Sequence, residues 1–332
     1  MLRKLIQTLK RLLKNFKKLS IWFRLTMIFL VILIAFVTAN KYYPQREAFT
    51  QERKFIMKKG INVYDDFYAD IYNELLHDSR KNDYEIGEII KTTNLTSKSL
   101  ILDIGSGTGQ HVAEFNDKGF DAIGLDLSPS MINQSIKNYP NFKFKNGDAL
   151  ESMLYPPNSF THITCFYFTI YYIKNKQQFL NNCYEWLKPG GTLVIHLVNK
   201  QKFNPILNNA DPLNIISSQK YAKKRITNSL IKFKDFILEL PGKITNSLIK
   251  FKDFQYRGDF KLNEEEDKCT FEEIFKSDET KQIRQNVHEL YFSRQKVVLK
   301  MAKEIGFMVQ GKIDMMPIQY DYQYLYILKK PE

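Results

Sequence analysis

The sequence predicts an α/β protein with a doubly wound, mostly parallel sheet, set behind an N-terminal transmembrane helix. Three observations predict this. From Gly60 onward, apolar strand-like runs alternate with helical patterns, as they do when a parallel sheet is covered on both faces. The stretch "IWFRLTMIFLVILIAFVTA" (Ile21–Ala39) runs for 19 residues with Arg24 as its only charge. With 332 residues, 44% of them hydrophobic, the chain is long enough for a full core and is not disordered.

Residues 2–19 place Leu2, Leu5, Ile6, Leu9, Leu12, Leu13, Phe16 and Leu19 at helical spacing, with lysines and arginines opposite and no acid. Such a basic amphipathic helix lies on an anionic membrane surface. At ~1.5 Å per residue, the next segment, 21–39, reaches roughly 28 Å, about one bilayer core. Trp22, Phe23, Tyr42 and Tyr43 flank it like an aromatic belt, and Arg24 can snorkel. The run is long for the apolar part of a cleaved signal peptide, so a retained anchor is expected. Seven Lys/Arg precede it in residues 1–20 and six follow in 41–60, nearly balancing the positive-inside rule. Residues 40–60 read as a charged linker ending at Gly60.

The formal charge of +13 belongs to this N-terminus. Residues 1–60 hold 14 Lys/Arg against Glu47 and Glu52, which leaves a net of +1 on the remaining 272 residues. No basic groove follows on the folded body, so nucleic acid is not an expected partner. Cys165, Cys183 and Cys269 have no spacing that suggests a disulfide framework or a zinc site, and no metal is expected.

Strands are expected at Leu100–Ile104, Ala122–Leu127, Phe142–Asn146, Ile163–Phe166 and Thr192–Leu197, and helices between them at Met131–Asn138 and Gln177–Leu187. Two further strands, Val309–Met315 and Tyr322–Leu328, close the chain after a long helical pattern from about Thr280 to Ile305. Residues 200–279 form an insertion or lid. Within it, "ITNSLIKFKDF" occurs at Ile226–Phe236 and again, unchanged, at Ile244–Phe254. Two copies offset by 18 residues indicate a tandem duplication and not a solenoid, which needs at least three.

The chemistry is concentrated in four segments. "ILDIGSGTGQH" (Ile101–His111) follows a strand with three glycines, Gly105, Gly107 and Gly109, so that backbone N–H groups can approach a ligand at a helix N-terminus. A dinucleotide loop, G-x-G-x-x-G, would need its third glycine at Gln110. "GLDLSPSMI" (Gly124–Ile132) sets Asp126 at a strand end, where it can accept both ribose hydroxyls. "NGDALE" (Asn146–Glu151) sets Asp148 where it can accept from an adenine amino group. "LKPGGTLVIH" (Leu187–His196) stops a helix and starts a buried strand.

Four such segments, in this order and at this spacing, resemble the class I S-adenosylmethionine-dependent methyltransferases, most closely their small-molecule branch. The resemblance runs from Val63 to Leu328. It implies a Rossmann-like sheet of seven strands with a terminal antiparallel hairpin, S-adenosylmethionine as cofactor, and methyl transfer to an oxygen or nitrogen of a small-molecule or lipid-like acceptor. By position, Asp103, Gly105, Gly107 and Gly109 resemble the loop around the methionine portion. Asp126 resembles the ribose acid with Leu127 beside it, and Asp148 and Ala149 resemble the adenine contacts. Phe166–Tyr171 resembles the segment facing the sulfonium and the acceptor, which makes Phe166 a cofactor contact and Tyr171 a catalytic candidate. Tyr64 and Tyr68, in "YDDFYADIY" (Tyr64–Tyr72), resemble aromatics that close over the cofactor.

A base is needed only if the nucleophile arrives protonated. His196 ends the fifth strand, at the crevice side of such a sheet, and is the candidate base; a structural histidine is the plainer reading. His288 could face the pocket, while His77 and His111 read as surface or packing residues. The stretch "CFYFTIYYI" (Cys165–Ile173) lacks the Asn/Asp-Pro-Pro-aromatic motif of nucleic-acid amino methyltransferases. Two alternatives stand beside the enzyme: an inert S-adenosylmethionine-binding membrane module, and a nicotinamide oxidoreductase, which the glycine spacing and Asp148 both oppose. The expected location is a membrane, with a single span and the domain facing the cytosol.

Overall fold

A computed structural model describes residues 20–22, 25–26, 29–30, 55–76, 78–203, 224–227, 246–250, 253–263 and 267–332. The chain divides into two units, Met1–Thr50 and Gln51–Glu332. In the first, positions 21–22, 25–26 and 29–30 are helical, and the Thr26 hydroxyl donates to the Trp22 carbonyl at 3.1 Å. The amphipathic segment 2–19 and most of the 21–39 span lie outside the described residues. Among the described residues, no helix is long and apolar enough to cross a membrane.

The second unit begins with β1 (Phe55–Lys59), a 3₁₀ turn (Gly60–Val63), α1 (Asp66–Leu76) and α2 (Ser79–Thr92). Next come β2 (Leu100–Ile104), α3 (Gln110–Asp117), β3 (Asp121–Asp126), α4 (Pro129–Asn138), β4 (Lys143–Asn146) and β5 (Phe160–Cys165). A single turn, α5 (Thr169–Tyr172), precedes α6 (Lys176–Trp186), which leads straight into β6 (Leu187–Val198). Five strands follow, β7 (Lys224–Thr227), β8 (Asn246–Lys250), β9 (Phe254–Asn263), β10 (Lys268–Ser277) and β11 (Ile283–Tyr291). The chain closes with α7 (Gln295–Ile305), β12 (Met308–Asp314) and β13 (Gln323–Lys329).

The main sheet has seven strands in the order β12-β13-β6-β5-β2-β3-β4. The five from β6 to β4 are parallel, and β12 and β13 add antiparallel at one edge. The expected strands are all present, with ends shifted by a few residues. Strand order reverses between β2 and β5, which places the crevice of a doubly wound sheet at the carboxyl ends of these two strands. Apolar helix faces cover both sides. Phe179, Leu180, Cys183 and Trp186 of α6 pack with Val298 and Ala302 of α7 on one face, and Ile86, Ile89, Val112 and Phe115 of α2 and α3 pack on the other. Each such large side chain, fully withdrawn from water, contributes about 1.5–3 kcal/mol. All three cysteines are buried.

The insertion supplies β7–β10 to a second sheet of six strands, ordered β1-β11-β10-β9-β8-β7, in which β1 lies parallel to β11. Two sequence expectations are corrected here. Phe55–Lys59, read as the end of a linker, is an edge strand paired from Phe55↔Ile283 to Lys59↔Val287. Ile283–Tyr291, read as the start of a long helix, is also a strand, and only Gln295–Ile305 of that pattern is helical. The inward side of β11 carries Arg284, Asn286, His288 and Leu290. Three of these four are polar, so the period-two alternation is present in burial but hidden in hydrophobicity. Of the duplicated segment, Ile226–Thr227 falls in β7, and Asn246–Lys250 and Phe254 fall in β8 and β9. The rest of its first copy lies outside the described residues.

Candidate active site

A cavity of about 570 Å³ lies at the carboxyl ends of β2 and β5, between the two sheets. It falls within the usual range for small-molecule sites. Its floor is the glycine loop after β2. Gly105, Gly107 and Gly109 have φ values of 74°, 55° and 90°, a left-handed backbone that side chains disfavour. At Gly105 a Cβ would sit 2.4 Å from the Thr169 side chain, so sterics as well as backbone conformation demand glycine.

Asp126 ties this loop to β3. Its Oδ2 accepts from the Gly107 N–H at 2.9 Å and its Oδ1 from the Ser128 N–H at 2.8 Å. Burial raises its pKa, and these two hydrogen bonds offset part of the rise. A carboxylate has about four acceptor positions, so each oxygen keeps a lone pair for a ligand. Ser128, not Asp126, caps α4, through the Met131 N–H at 3.2 Å. The Ser106 hydroxyl is buried in the loop with no hydrogen-bond partner, an orphan that a polar ligand would satisfy. Asp148 accepts from the Leu150 N–H at 2.9 Å, which holds the turn that presents Ala149.

Of the expected cofactor contacts, Gly105, Gly107, Asp126, Leu127, Asp148, Ala149, Phe166, Tyr64 and Tyr68 all line this cavity. Gly109 and Asp103 support it from behind. Gly109 is the N-cap of α3, and Asp103 accepts from the Thr164 hydroxyl at 2.8 Å and is pushed by burial up to about 6.

The two catalytic candidates are not at the cavity. His196 is fully buried in the sheet against the rings of Phe168 and Tyr167, and burial pulls its pKa down to about 4. Tyr171 points into the core, where its oxygen accepts from the Val198 N–H at 2.9 Å and its ring stacks on Phe292. Its neighbour Tyr172 lines the cavity instead. Successive residues of a helix point about 100° apart, so one position decides between core and site.

Two polar clusters were illegible in the sequence. At one end, the buried Lys81 ammonium lies 2.7 Å from Glu85 Oε2, which also meets His111 Nε2 at 2.9 Å. Burial alone would raise the Glu85 pKa, but the charges of Lys81 and His111 reverse this and hold it at about 2. His111 stacks on Phe166 at 4.1 Å and lines the cavity, so it is not a surface residue. Lys81 and Glu85 are spaced i,i+4, which in sequence reads as an ordinary exposed pair.

The other cluster centres on Glu273 of β10, 1% exposed. Its Oε1 accepts from the hydroxyls of Tyr256 (2.9 Å) and Tyr68 (3.1 Å). Its Oε2 meets His288 Nε2 at 2.7 Å and Asn286 Nδ2 at 3.2 Å. Burial raises the Glu273 pKa, yet the neighbouring His288, which stabilises the carboxylate most when protonated, and the bonds from His288, Asn286 and Tyr256 leave it lowered overall. His288 Nδ1 in turn lies 2.9 Å from the Tyr172 hydroxyl. Arg284 fixes the turn before α1 against β11, through Asp65 at 2.9 and 3.0 Å and the Val63 carbonyl at 3.1 Å. That clamp holds Tyr64 and Tyr68 over the cavity.

Residues 101–191, which contain the glycine loop, Asp126, Asp148 and the β5 end, match the family described as "Methyltransferase domain". Over these residues the chain is similar to a methyltransferase domain. Over 141 residues, the chain is 33% identical to a dTDP-4-amino-2,3,4,6-tetradeoxy-D-glucose N,N-dimethyltransferase of Saccharopolyspora spinosa, covering 40% of this chain and 55% of that one. Over 177 residues it is 27% identical to a phosphoethanolamine N-methyltransferase of Plasmodium falciparum, covering 49% and 58%. The chain thus spans little more than half the length of these curated relatives. The fold also aligns with a crystal structure of an S-adenosylmethionine-dependent methyltransferase from Clostridium acetobutylicum, with 16% identity, 80% of this chain and 98% of that one covered, and a TM-score of 0.56. The residues present fit the methyltransferase cofactor: a loop of exposed backbone N–H groups, an orphan hydroxyl at Ser106, and carboxylates at Asp126 and Asp148 on successive strand ends.

Proposed function

We propose that this protein is an S-adenosylmethionine-dependent N-methyltransferase acting on a small, amine-bearing acceptor. The observation that carries this reading is the wall opposite the glycine loop. Tyr64, Tyr68, Tyr172, Tyr256, Phe260 and Phe271 line the cavity there, with the carboxylate of Glu273 directly behind. Aromatic faces attract a cation, and a buried anion behind them adds to that attraction where water is excluded. The two relatives named above act, by their names, on an amino sugar and on phosphoethanolamine, both amines.

The cofactor, when bound, supplies an electrophilic methyl group on a sulfonium. The chain's own residues then bind and align. Asp126 would accept the ribose hydroxyls, and Asp148 with the Ala149 N–H would meet the adenine edge. The aromatic wall would hold the acceptor nitrogen in line and keep water out, which can contribute several kcal/mol of the barrier reduction.

The test is calorimetric titration of S-adenosylmethionine into the full chain, followed by a mass-spectrometric screen of amine, hydroxyl and carboxylate acceptors. Methylation confined to hydroxyl or carboxylate compounds would reject the amine reading and leave the cofactor assignment standing.

We also propose that residues 21–39 anchor the chain in a membrane with the domain on the cytosolic side, where the cofactor is found. The support is the length and apolarity of that segment and the basic flank before it. Alkaline extraction of membranes from cells expressing the full chain checks this. Release into the supernatant would reject it.

A further inference from the structure

We propose that Tyr172, His288 and Glu273 form a relay that takes the proton from the acceptor nitrogen. This rests on the amine reading above and deepens it. An amine arrives at neutral pH mainly as an ammonium, which has no free pair to attack a methyl group, so one proton must leave first.

The hydrogen-bond directions set the path. All four contacts to Glu273 come from groups able to donate: the hydroxyls of Tyr68 and Tyr256, Asn286 Nδ2 and His288 Nε2. An ionised carboxylate only accepts, so Nε2 carries the histidine hydrogen. In the neutral imidazole from which the relay starts, that assignment, made from the network, leaves Nδ1 to accept from the Tyr172 hydroxyl at 2.9 Å. Tyr172 lines the cavity, whereas His288 and Glu273 are 1% exposed. Along this path every hydrogen therefore points away from the cavity and toward a buried anion. The ring of Tyr64 stands edge-on to that of Tyr172 at 5.8 Å.

The step balances as follows. An N–H bond of the acceptor breaks and its electron pair stays on nitrogen. The proton joins the Tyr172 oxygen while Tyr172's own hydrogen moves to His288 Nδ1. The resulting imidazolium is held by Glu273 at 2.7 Å. The freed pair bonds to the methyl carbon as the carbon–sulfur pair passes to sulfur, which ends as a neutral thioether. Burial holds the Tyr172 pKa well above its usual value, so it works as a phenol passing a proton and not as a resident tyrosinate. The titratable groups facing His288 are Glu273 from β10, Tyr64 from the turn before α1, Tyr68 from α1, and Tyr172 from α5. Arg284, on the same strand, is engaged by Asp65.

A purely structural role is the competing explanation, since Glu273 also ties β9, β10, β11 and α1 together. The test uses the full chain, phosphoethanolamine as the probe amine, and the variants Tyr172→Phe and His288→Gln. The relay predicts S-adenosylmethionine affinity within about threefold of the parent and kcat reduced by about 10²–10⁴-fold at pH 7. That deficit should shrink by about tenfold per pH unit as the amine nears its own pKa of about 10, because the free base then arrives unaided. A deficit equal at pH 7 and pH 9.5, or no deficit, overturns the relay. Nitrogen-15 spectra of histidine-labelled parent protein decide the matter without turnover. An Nε2–H tautomer with Nδ1 hydrogen-bonded supports the relay, and an Nδ1–H tautomer overturns it. Failure to methylate phosphoethanolamine would count against the amine reading, while the tautomer still judges the relay, as it does if the variants do not fold.

Discussion

Glu273 and His288 face each other across neighbouring strands, Oε2 to Nε2 at 2.7 Å, on β10 and β11 of the second sheet. Their side chains are 2% and 1% exposed. Removing one member of such a buried pair leaves the other unmatched in low dielectric, at a cost of about 3–5 kcal/mol. Glu273→Ala should therefore lower the unfolding midpoint sharply, and more than His288→Gln, because it strands four donors instead of one. Equal midpoints for Glu273→Ala and the parent in a thermal scan would show that the cluster does not hold the sheets together.

Acid should destabilise the fold in two stages. His196 titrates near about 6.5 when unfolded but at about 4 when folded, so below pH 6.5 the unfolded chain binds more protons. Its contribution is complete above pH 6.5 and is lost as pH falls through 4, about 3 kcal/mol in all. Glu85 behaves alike at lower pH: its folded pKa is about 2, so the stability it supplies above its unfolded value drains away as pH falls toward 2. His196→Leu should flatten the stability curve between pH 6.5 and 4 and leave cofactor affinity unchanged. A large loss of kcat in His196→Leu, with the acid limb of stability intact, would restore His196 as the base.

Asp126→Ala should abolish measurable S-adenosylmethionine binding, and Asp126→Asn should weaken it by at least tenfold. Alanine removes the acceptors of both the Gly107 and the Ser128 N–H, and asparagine keeps only one acceptor oxygen for the two, so the loop itself loosens, by about 1–3 kcal/mol. Calorimetry on both variants checks this. Unchanged affinity would remove Asp126 from the site.

The glycines separate sterics from backbone strain. Gly105 and Gly119 both have positive φ, but a Cβ at Gly119 meets nothing within 4 Å, whereas at Gly105 it meets Thr169 at 2.4 Å. Gly119→Ala should cost only the left-handed backbone penalty, about 1–2 kcal/mol, and bind cofactor normally. Gly105→Ala should cost more and lose binding. Denaturant unfolding with a parallel binding assay distinguishes the two.

Deleting Ile226–Lys243 joins Arg225 to Ile244, two residues before β8, so the edge strand β7 is given up and β8 becomes the edge of the second sheet. The shortened chain should fold and bind S-adenosylmethionine with unchanged affinity, since surface insertions are thermodynamically cheap. Insoluble product, or a tenfold weaker affinity, would show that both copies belong to the fold.

Much of this was legible in the residues. Val, Ile and Leu runs at 100–104, 122–127 and 192–197, with loops and amphipathic helices between them, fix the main sheet because buried parallel strands must be apolar on both faces. Gly105, Gly107, Asp126 and Asp148 could be placed because a backbone-lined ligand site needs glycine and carboxylate at strand ends, and that need is local. The second sheet escaped because its inward positions are polar: Arg284, Asn286 and His288 satisfy one another and Glu273, which no hydrophobic period can reveal.

The sequence by itself thus determined the strands of the main sheet and the glycine-loop side of the cavity. Each of these depends on residues within a few positions of one another. Only the tertiary structure decided the wall that faces the glycine loop. Tyr172 and not Tyr171, His288 and not His196, and Glu273 and Tyr256 come together there from α5, β11, β10 and β9 across as many as 116 positions. Their meeting is set by strand pairing and helix phase. Packing determines both, and neither leaves a local trace in the chain.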